Sequence, residues 1–114
     1  MTSPQDNPGT QPGTSLHSTL ASDPDMVELV QFFVEEMADR VQTISDAADA
    51  NDLGQLRTVA HQLKGAGAGY GFEPITDAAG ALEHLIDESG PATEVESMRQ
   101  QIDALIDLCR RATV

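Results

Sequence analysis

His61 is the residue of this sequence whose surroundings most clearly indicate chemistry. Lys64, the only lysine of the chain, follows it by three residues, and side chains three apart lie next to each other on a helix. An exposed neutral imidazole is a nucleophile near neutral pH, and a lysine one turn away can form charge-assisted contacts with phosphoryl oxygens. A phosphorylated ring nitrogen also remains a good phosphoryl donor. The pair therefore predicts that His61 accepts and releases a phosphoryl group with the help of Lys64.

Basic and small residues surround His61 on the predicted helix. At about 100° per residue, Arg57, Gly65 and Ala68 lie within about 60° of His61 on a helical wheel. A glycine inside a helix lowers its stability by about 1 kcal/mol relative to alanine, so the presence of Gly65 and Gly67 calls for an explanation. We interpret Gly67 as a point of close packing against a neighbouring helix. We interpret Gly65 and Ala68 as space through which a partner protein approaches His61.

Four stretches of apolar residues, spaced by three or four, supply the elements that would position His61. The predicted helices run from Met26 to about Asn51, from Leu53 to the glycines up to Gly71, from Glu73 to the break at 89–91, and over 95–111. Short polar turns join them, and no stretch alternates with the period of a strand. The pattern predicts an all-α fold, an antiparallel up-down-up-down four-helix bundle.

The start of the chain differs in composition from the rest. Residues 1–15 are rich in Pro, Gly, Thr, Ser and Gln, which predicts a disordered leader because burial cannot offset the entropy of ordering it. Leu16 and Leu20 then stand four apart, immediately before a helix-start signal, and predict a short N-terminal helical turn. The predicted bundle domain is therefore 16–114.

Charge and composition exclude several classes of function. The chain carries 19 acidic and 6 basic residues, a net charge of -13, so the phosphate backbone of a nucleic acid would be repelled. No apolar run reaches the roughly 20 residues that a membrane-spanning helix needs, and the first residues lack the basic and apolar stretches of a secretory signal. We expect a cytoplasmic monomer that binds neither nucleic acid nor membrane.

Other kinds of site fit the sequence poorly. Three scattered histidines and one cysteine, Cys109, match no metal-ligand spacing, and Cys109 lies on an apolar stripe, which is typical of a buried residue. The glycines after Lys64 do not form Gly-x-Gly-x-x-Gly, because Tyr70 and Phe72 occupy the third glycine position. His17 and His84 are interpreted as surface residues. The alternative to a phosphoryl site is a helical interaction module without chemistry, in which His61 is an ordinary solvated histidine.

The segment from His61 to Gly71, which reads HQLKGAGAGYG, resembles the signature of histidine-containing phosphotransfer (HPt) domains, His-x-Leu-Lys-Gly followed by small residues and a closing glycine. The resemblance implies a phosphocarrier rather than an enzyme, with His61 phosphorylated and Lys64 assisting. It also implies an acid on the third helix, here Glu83, that orients the imidazole by accepting a hydrogen bond from Nδ1.

The same resemblance implies partners and cofactors. In two-component phosphorelays such domains take the phosphoryl group from a receiver-domain aspartate, or from a histidine kinase, and pass it to another receiver. The partners implied here are response-regulator receiver domains and a hybrid histidine kinase. The catalytic Mg²⁺ and the aspartate belong to the receiver, so no cofactor is expected in this chain.

Leu29 and Phe32 are apolar but lie off the buried stripe of the first predicted helix. They are three apart and share one face. Two partners could cover this face, the turn carrying Leu16 and Leu20 or a receiver domain arriving beside His61. The four-residue leucine spacing immediately upstream favours the turn.

Overall fold

The computed structural model of the chain describes residues 15–90 and 93–114, and these are mostly helical. The elements are β1 (Leu16–His17), α1 (Val27–Glu35), α2 (Met37–Asp49), α3 (Leu53–Gly69), α4 (Glu73–Glu88), a 3-10 helix (Val95–Met98), α5 (Arg99–Arg111) and β2 (Ala112–Thr113). The all-α class is confirmed. Of the predicted disordered leader, residues 1–14 lie outside the described residues, and Ser15 is exposed.

The first predicted helix is divided into two segments at Glu36. The Glu36 N–H lies 3.1 Å from both the Phe32 and the Phe33 carbonyl oxygens, so the turn there is tighter than an ideal α-helix. Its backbone stays in the right-handed helical region (φ -80°, ψ -10°), and α2 follows directly. The prediction of one uninterrupted helix was therefore wrong, although the chain continues as an almost unbroken helical path.

Two residues in the left-handed conformation lie just before and just after α3, where α2 and α3 end. Asn51, with φ 53°, and Gly71, with φ 86°, are the described residues with positive φ. Beyond each one an N–H reaches back five residues, from Asp52 to Ala47 (2.8 Å) and from Phe72 to Gly67 (2.8 Å), which is the Schellman end of a helix. Asp52 also caps α3 by accepting from the Gln55 N–H. These turns fix where α3 begins and ends.

The helices pack around one apolar core. Helix α3 packs on α2 and α4, and α5 packs on the same two helices, so α3 and α5 lie diagonally across the bundle. Phe72, fully buried, stacks on Phe33 with a centroid distance of 5.4 Å. Contacts between α3 and α4 run in opposite order along the two helices, with the Arg57 side chain beside Asp87 and the Ala68 N–H donating to Thr76 Oγ1. The up-down-up-down order of the whole bundle stays a prediction.

The N-terminal segment forms a strand where a helical turn was predicted. β1 pairs in parallel with β2, placing Leu16 opposite Ala112. Ser18 Oγ donates to the Tyr70 carbonyl (2.6 Å), and the Thr19 N–H donates to the Gly71 carbonyl (2.9 Å). Hydrogen bonds to β2 and to the turn between α3 and α4 therefore hold this segment extended, and turns begin only at Thr19.

This segment does not cover the extra apolar face of α1. Leu16 is buried and Leu20 partly buried against the core, yet Leu29 and Phe32 remain 49% and 60% exposed. The expectation that the turn carrying Leu16 and Leu20 covers these two side chains was wrong, because this segment pairs with β2 and with the turn between α3 and α4 instead. None of the described helices is long and apolar enough to cross a bilayer.

Gly71→Ala should destabilise the fold. Its φ of 86° disfavours a side chain, and a Cβ would lie 2.9 Å from the backbone nitrogens of Thr19 and Leu20. We expect the free energy of unfolding to fall by about 1–3 kcal/mol. Gly69→Ala is the matched control, because a Cβ there has no neighbour within 4 Å, and it should be neutral or stabilising. Urea unfolding followed by circular dichroism measures both, and equal stabilities would contradict the role of Gly71.

Candidate functional site

His61 lies near the middle of α3 with its side chain 63% exposed. Its Nδ1 is 2.8 Å from Oε2 of Glu83 on α4. When Glu83 is ionised it can only accept, so Nδ1 must carry the proton that is donated to it. The neutral ring then has its lone pair on Nε2, the nitrogen farther from Glu83. The hydrogen bond thus selects which nitrogen is nucleophilic.

Glu83 is the buried centre of this arrangement, only 5% exposed although it is a carboxylate. Besides His61 at Oε2, it receives the Lys64 Nζ at Oε1 (2.8 Å) and an Arg57 guanidinium nitrogen at Oε2 (3.1 Å). The hydrogen bond from Lys64, then that from His61, lowers the pKa of Glu83 against the opposing effect of burial. Glu83 is therefore ionised at neutral pH. We call Glu83 and its three partners the Glu83 cluster.

Asp87 extends the cluster by one turn of α4. Arg57 Nε donates to Asp87 Oδ1 (2.5 Å) and a second guanidinium nitrogen lies 3.2 Å from Oδ2, a two-point contact typical of arginine and carboxylate. The hydrogen bond to Asp87 raises the pKa of Arg57, and the hydrogen bond from Arg57 lowers the pKa of Asp87. Arg57 is thus held between two carboxylates.

Lys64 is positioned by two residues of α4. A Cβ at Gly80 would lie 3.3 Å from Lys64 Cδ, so the absence of a side chain there leaves room for the lysine stem. Thr76 Oγ1 accepts from the Ala68 N–H (2.6 Å) and donates to the Lys64 carbonyl (3.0 Å). The hydroxyl is inserted between two groups that would pair directly in a regular helix, which fixes the backbone at Lys64.

The glycines of α3 differ in their surroundings. A Cβ at Gly67 would lie 2.6 Å from Thr76 Oγ1, so the predicted close packing at Gly67 is present. A Cβ at Gly65 has no neighbour within 4 Å, and Ala68 is exposed. The fold itself therefore does not require the absence of a side chain at Gly65.

A groove borders the other flank of α3. Its lining includes Phe32 of α1, Arg40 of α2, and Gln62 and Ala66 of α3. Arg40 donates to Gln62 Oε1 (2.7 Å) across it. Gln62 directly follows His61, so the exposed Phe32 ring lies on the side of α3 opposite to Glu83. We call Phe32, its exposed neighbour Leu29 and this groove the apolar flank.

The structure brings together three of the residues singled out in the sequence, His61, Lys64 and Glu83, while Gly65 and Ala68 lie exposed on the same helix. Sequence reasoning missed three others on α4, Thr76, Gly80 and Asp87. One signal was available. Gly80, Glu83 and Asp87 are spaced three and four apart, mirroring the spacing of Lys64, His61 and Arg57 on α3.

The remaining candidates are separate from this site. His17 Nδ1 lies 3.1 Å from the Val114 carbonyl oxygen, and His84 pairs with Glu88 at 3.3 Å, both at the surface. Burial raises the pKa of the Cys109 thiol to about 12, so it is not a thiolate nucleophile. Within residues 15–90 and 93–114, no group of three or more His, Cys, Asp or Glu side chains could hold a metal ion.

A helical bundle with an exposed histidine that is held by a buried carboxylate and accompanied by a lysine is the kind of protein that can carry a group on an imidazole nitrogen. The chain belongs to the Hpt domain family, whose model matches residues 28–112. Domains of this family are histidine phosphocarriers of two-component phosphorelays rather than true enzymes, and they interact with receiver domains and histidine kinases. The predicted family is confirmed. No curated protein and no solved structure matches the chain.

Proposed function

We propose that this chain is a phosphocarrier whose His61 accepts a phosphoryl group from a receiver-domain aspartate or a histidine kinase and passes it to another receiver. The observation that carries the proposal is the exposed His61 with Nδ1 engaged by the buried Glu83 carboxylate. With Nδ1 protonated, the lone pair of the neutral ring lies on Nε2, which is therefore the proposed nucleophile.

In the proposed transfer, the Nε2 lone pair attacks the phosphorus of the aspartyl phosphate. The N–P bond forms as the P–O bond to the aspartate breaks, and the aspartate leaves as a carboxylate. The ring keeps its Nδ1 proton and becomes positively charged, and the Glu83 carboxylate stabilises that charge through the hydrogen bond it already makes. The return step reverses these bonds, so no proton has to be lost at His61.

Lys64 is proposed to assist by contacting the phosphoryl oxygens. Its ammonium group lies one helical turn from His61 and is now paired with Glu83 Oε1. A phosphoryl group on Nε2 would lie beyond the ring edge opposite to Nδ1, so the lysine must turn towards it. Its four-carbon stem allows this movement, and Arg57 remains paired with Glu83 when the lysine turns away.

Receiver domains are proposed to dock over His61 and the apolar flank. Leu29 and Phe32 are large exposed apolar side chains, and Phe32 lines the groove beside the residue that follows His61. Gly65 and Ala68 would let the partner backbone come close to the ring. Mg²⁺ and the aspartate are expected in the receiver, so the proposed role of this chain is to present His61, Lys64 and a binding surface.

The proposal includes a cytoplasmic monomer that binds neither nucleic acid nor membrane. The net charge of -13 supports the exclusion of nucleic acid. The alternative of an interaction module without chemistry would use the same apolar flank, and the following experiments separate the two.

His61→Gln should abolish phosphorylation by a phosphorylated receiver or histidine kinase, because the proposed acceptor nitrogen is removed. Wild-type protein should carry a label that is lost in acid and stable in base, as expected for phosphohistidine. His84→Gln is the matched control, since His84 is also exposed on a helix, and it should be labelled like wild type. A labelled His61→Gln protein, or a wild type that accepts no label, would contradict the carrier function.

Lys64→Ala should slow transfer by tens to thousands of fold, the range for loss of one charge-stabilising contact. The bundle should remain folded, because Lys64 is partly exposed and Arg57 still neutralises Glu83. Rapid-quench measurement of transfer rates, with thermal melts alongside, tests this. Lys64→Arg should keep part of the rate, and equal rates for wild type and Lys64→Ala would remove Lys64 from the mechanism.

Phe32→Ser should weaken receiver binding, because it removes exposed apolar area from the proposed docking surface. Leu85→Ser is the matched control, since Leu85 is also exposed but lies on α4, away from the groove. Calorimetric titration with a receiver should give a dissociation constant raised about tenfold or more for Phe32→Ser alone. A small donor such as phosphoramidate should phosphorylate both variants at the wild-type rate. Equal receiver affinities would exclude this face as the docking surface.

A further inference from the structure

Arg57 stands out because it touches the centre of the site without any role in the proposed transfer. One of its terminal nitrogens lies 3.1 Å from Glu83 Oε2, the same oxygen that accepts the hydrogen bond from His61 Nδ1–H. Lys64 takes the other oxygen, Oε1. The two cations therefore neutralise Glu83 from different sides, and only Arg57 shares the oxygen that orients the histidine.

The two cations also differ in how firmly they are held. Arg57 is fixed from behind by two contacts with Asp87, and its planar guanidinium can serve both carboxylates at once. Lys64 is a flexible side chain that pairs with Glu83, and the proposed transfer requires it to turn away to the phosphoryl oxygens. When it does, Glu83 remains buried beside an incoming group of negative charge.

A buried carboxylate that loses its partners is strongly destabilised. It would have to take up a proton or move towards solvent, and either event would weaken the hydrogen bond that it accepts from the His61 Nδ1–H. Arg57 is placed to prevent this, since its contacts do not involve Lys64. The other ionisable side chains that line this cleft with Arg57, Lys64 and Glu83 are Asp87 and His84 of α4.

We infer that Arg57 is a positioning residue for phosphoryl transfer: clamped by Asp87, it holds the Glu83 carboxylate on His61 Nδ1 while Lys64 leaves to contact the phosphoryl group. The phosphoryl part of this inference rests on the proposed function. The clamp itself does not, because Lys64→Ala imitates the departure of the lysine in the unphosphorylated protein.

The first test measures the protonated nitrogen of His61 by ¹⁵N NMR of the imidazole in a double-mutant cycle. Lys64→Ala alone should keep the Nδ1–H form, because Arg57 still holds Glu83. Arg57→Gln alone should also largely keep it, because Lys64 remains. The combined Lys64→Ala, Arg57→Gln protein should lose the preference for Nδ1–H.

Loss of the Nδ1–H form in Lys64→Ala alone, or its full retention in the combined variant, would overturn the inference. This result is independent of any phosphoryl transfer. A protein that accepted no label would therefore contradict the proposed function but would not test whether Arg57 holds Glu83 in place. If the combined variant fails to fold, Lys64→Ala can instead be combined with Asp87→Asn, which removes the carboxylate that holds Arg57. Both carboxyl positions then stay polar, and the protein should show the same loss of preference for the Nδ1–H form.

The second test measures phosphorylation of His61 by phosphoramidate, whose P–N bond breaks as the N–P bond to Nε2 forms and whose amine leaves as ammonia with a proton from water. Arg57→Gln should slow this reaction on the order of tenfold, less than a change in a residue that itself orients the imidazole. Arg57→Lys should recover part of the rate, because it restores a cation beside Glu83.

Arg99→Gln is the matched control, since Arg99 at the start of α5 also lies between two carboxylates, Glu96 of the 3-10 helix (3.4 Å) and Asp103 of α5 (3.8 Å). It should react like wild type. A phosphorylation rate for Arg57→Gln equal to that of Arg99→Gln, in a wild type that is readily phosphorylated, would leave the proposed function intact and exclude Arg57 from it.

Discussion

A carboxylate buried between two helices governs the arrangement of this site. Glu83 is only 5% exposed, and an isolated buried charge costs several kcal/mol unless it is paired and hydrogen-bonded. Three donors from α3 meet that requirement, and they lie one helical turn apart along a single face. The carboxylate therefore fixes the side-chain orientation of His61 and favours one register of α3 against α4. An alternative register would leave Glu83 facing fewer donors.

The charges of the extended cluster cancel. Arg57 and Lys64 contribute two positive charges, and Glu83 and Asp87 contribute two negative charges. With His61 neutral, the site offers an incoming phosphoryl group no excess of positive charge. Under the proposed function this balance suits a carrier, since a site that stabilised phosphohistidine strongly would be slow to release the group to the next acceptor.

Helix α3 separates two kinds of interaction. The Glu83 cluster lies on its α4 side and contains the charged groups, whereas the apolar flank with Phe32 lies on its α1 and α2 side. His61 stands between them. Changes on the α4 side should therefore affect the reactivity of the imidazole, and changes on the other side should affect recognition by a partner. This separation allows the two properties to vary independently in the same small domain.

The sequence by itself determined the features that depend on spacing along one helix. The three- and four-residue intervals predicted the helical segments, and the rise and turn of a helix placed Lys64 and Gly65 beside His61 without reference to the rest of the fold. Glu83 was reached through the family resemblance, because its distance from His61 in the chain says nothing about contact. The break at Glu36 could not be predicted from the sequence, since the segment around it contains neither proline nor glycine.

Only the tertiary structure decided which residues of different elements contact one another. The burial of Glu83, the Arg57–Asp87 contact and the space that Gly80 leaves for Lys64 depend on the register in which α3 and α4 pack. The strand at Leu16 depends on pairing with residues nearly 100 positions away, at the other end of the chain. Leu29 and Phe32 consequently stay exposed. Periodicity fixes neighbours within an element, whereas packing and long-range hydrogen bonds fix neighbours between elements, and those are settled only when the whole chain folds.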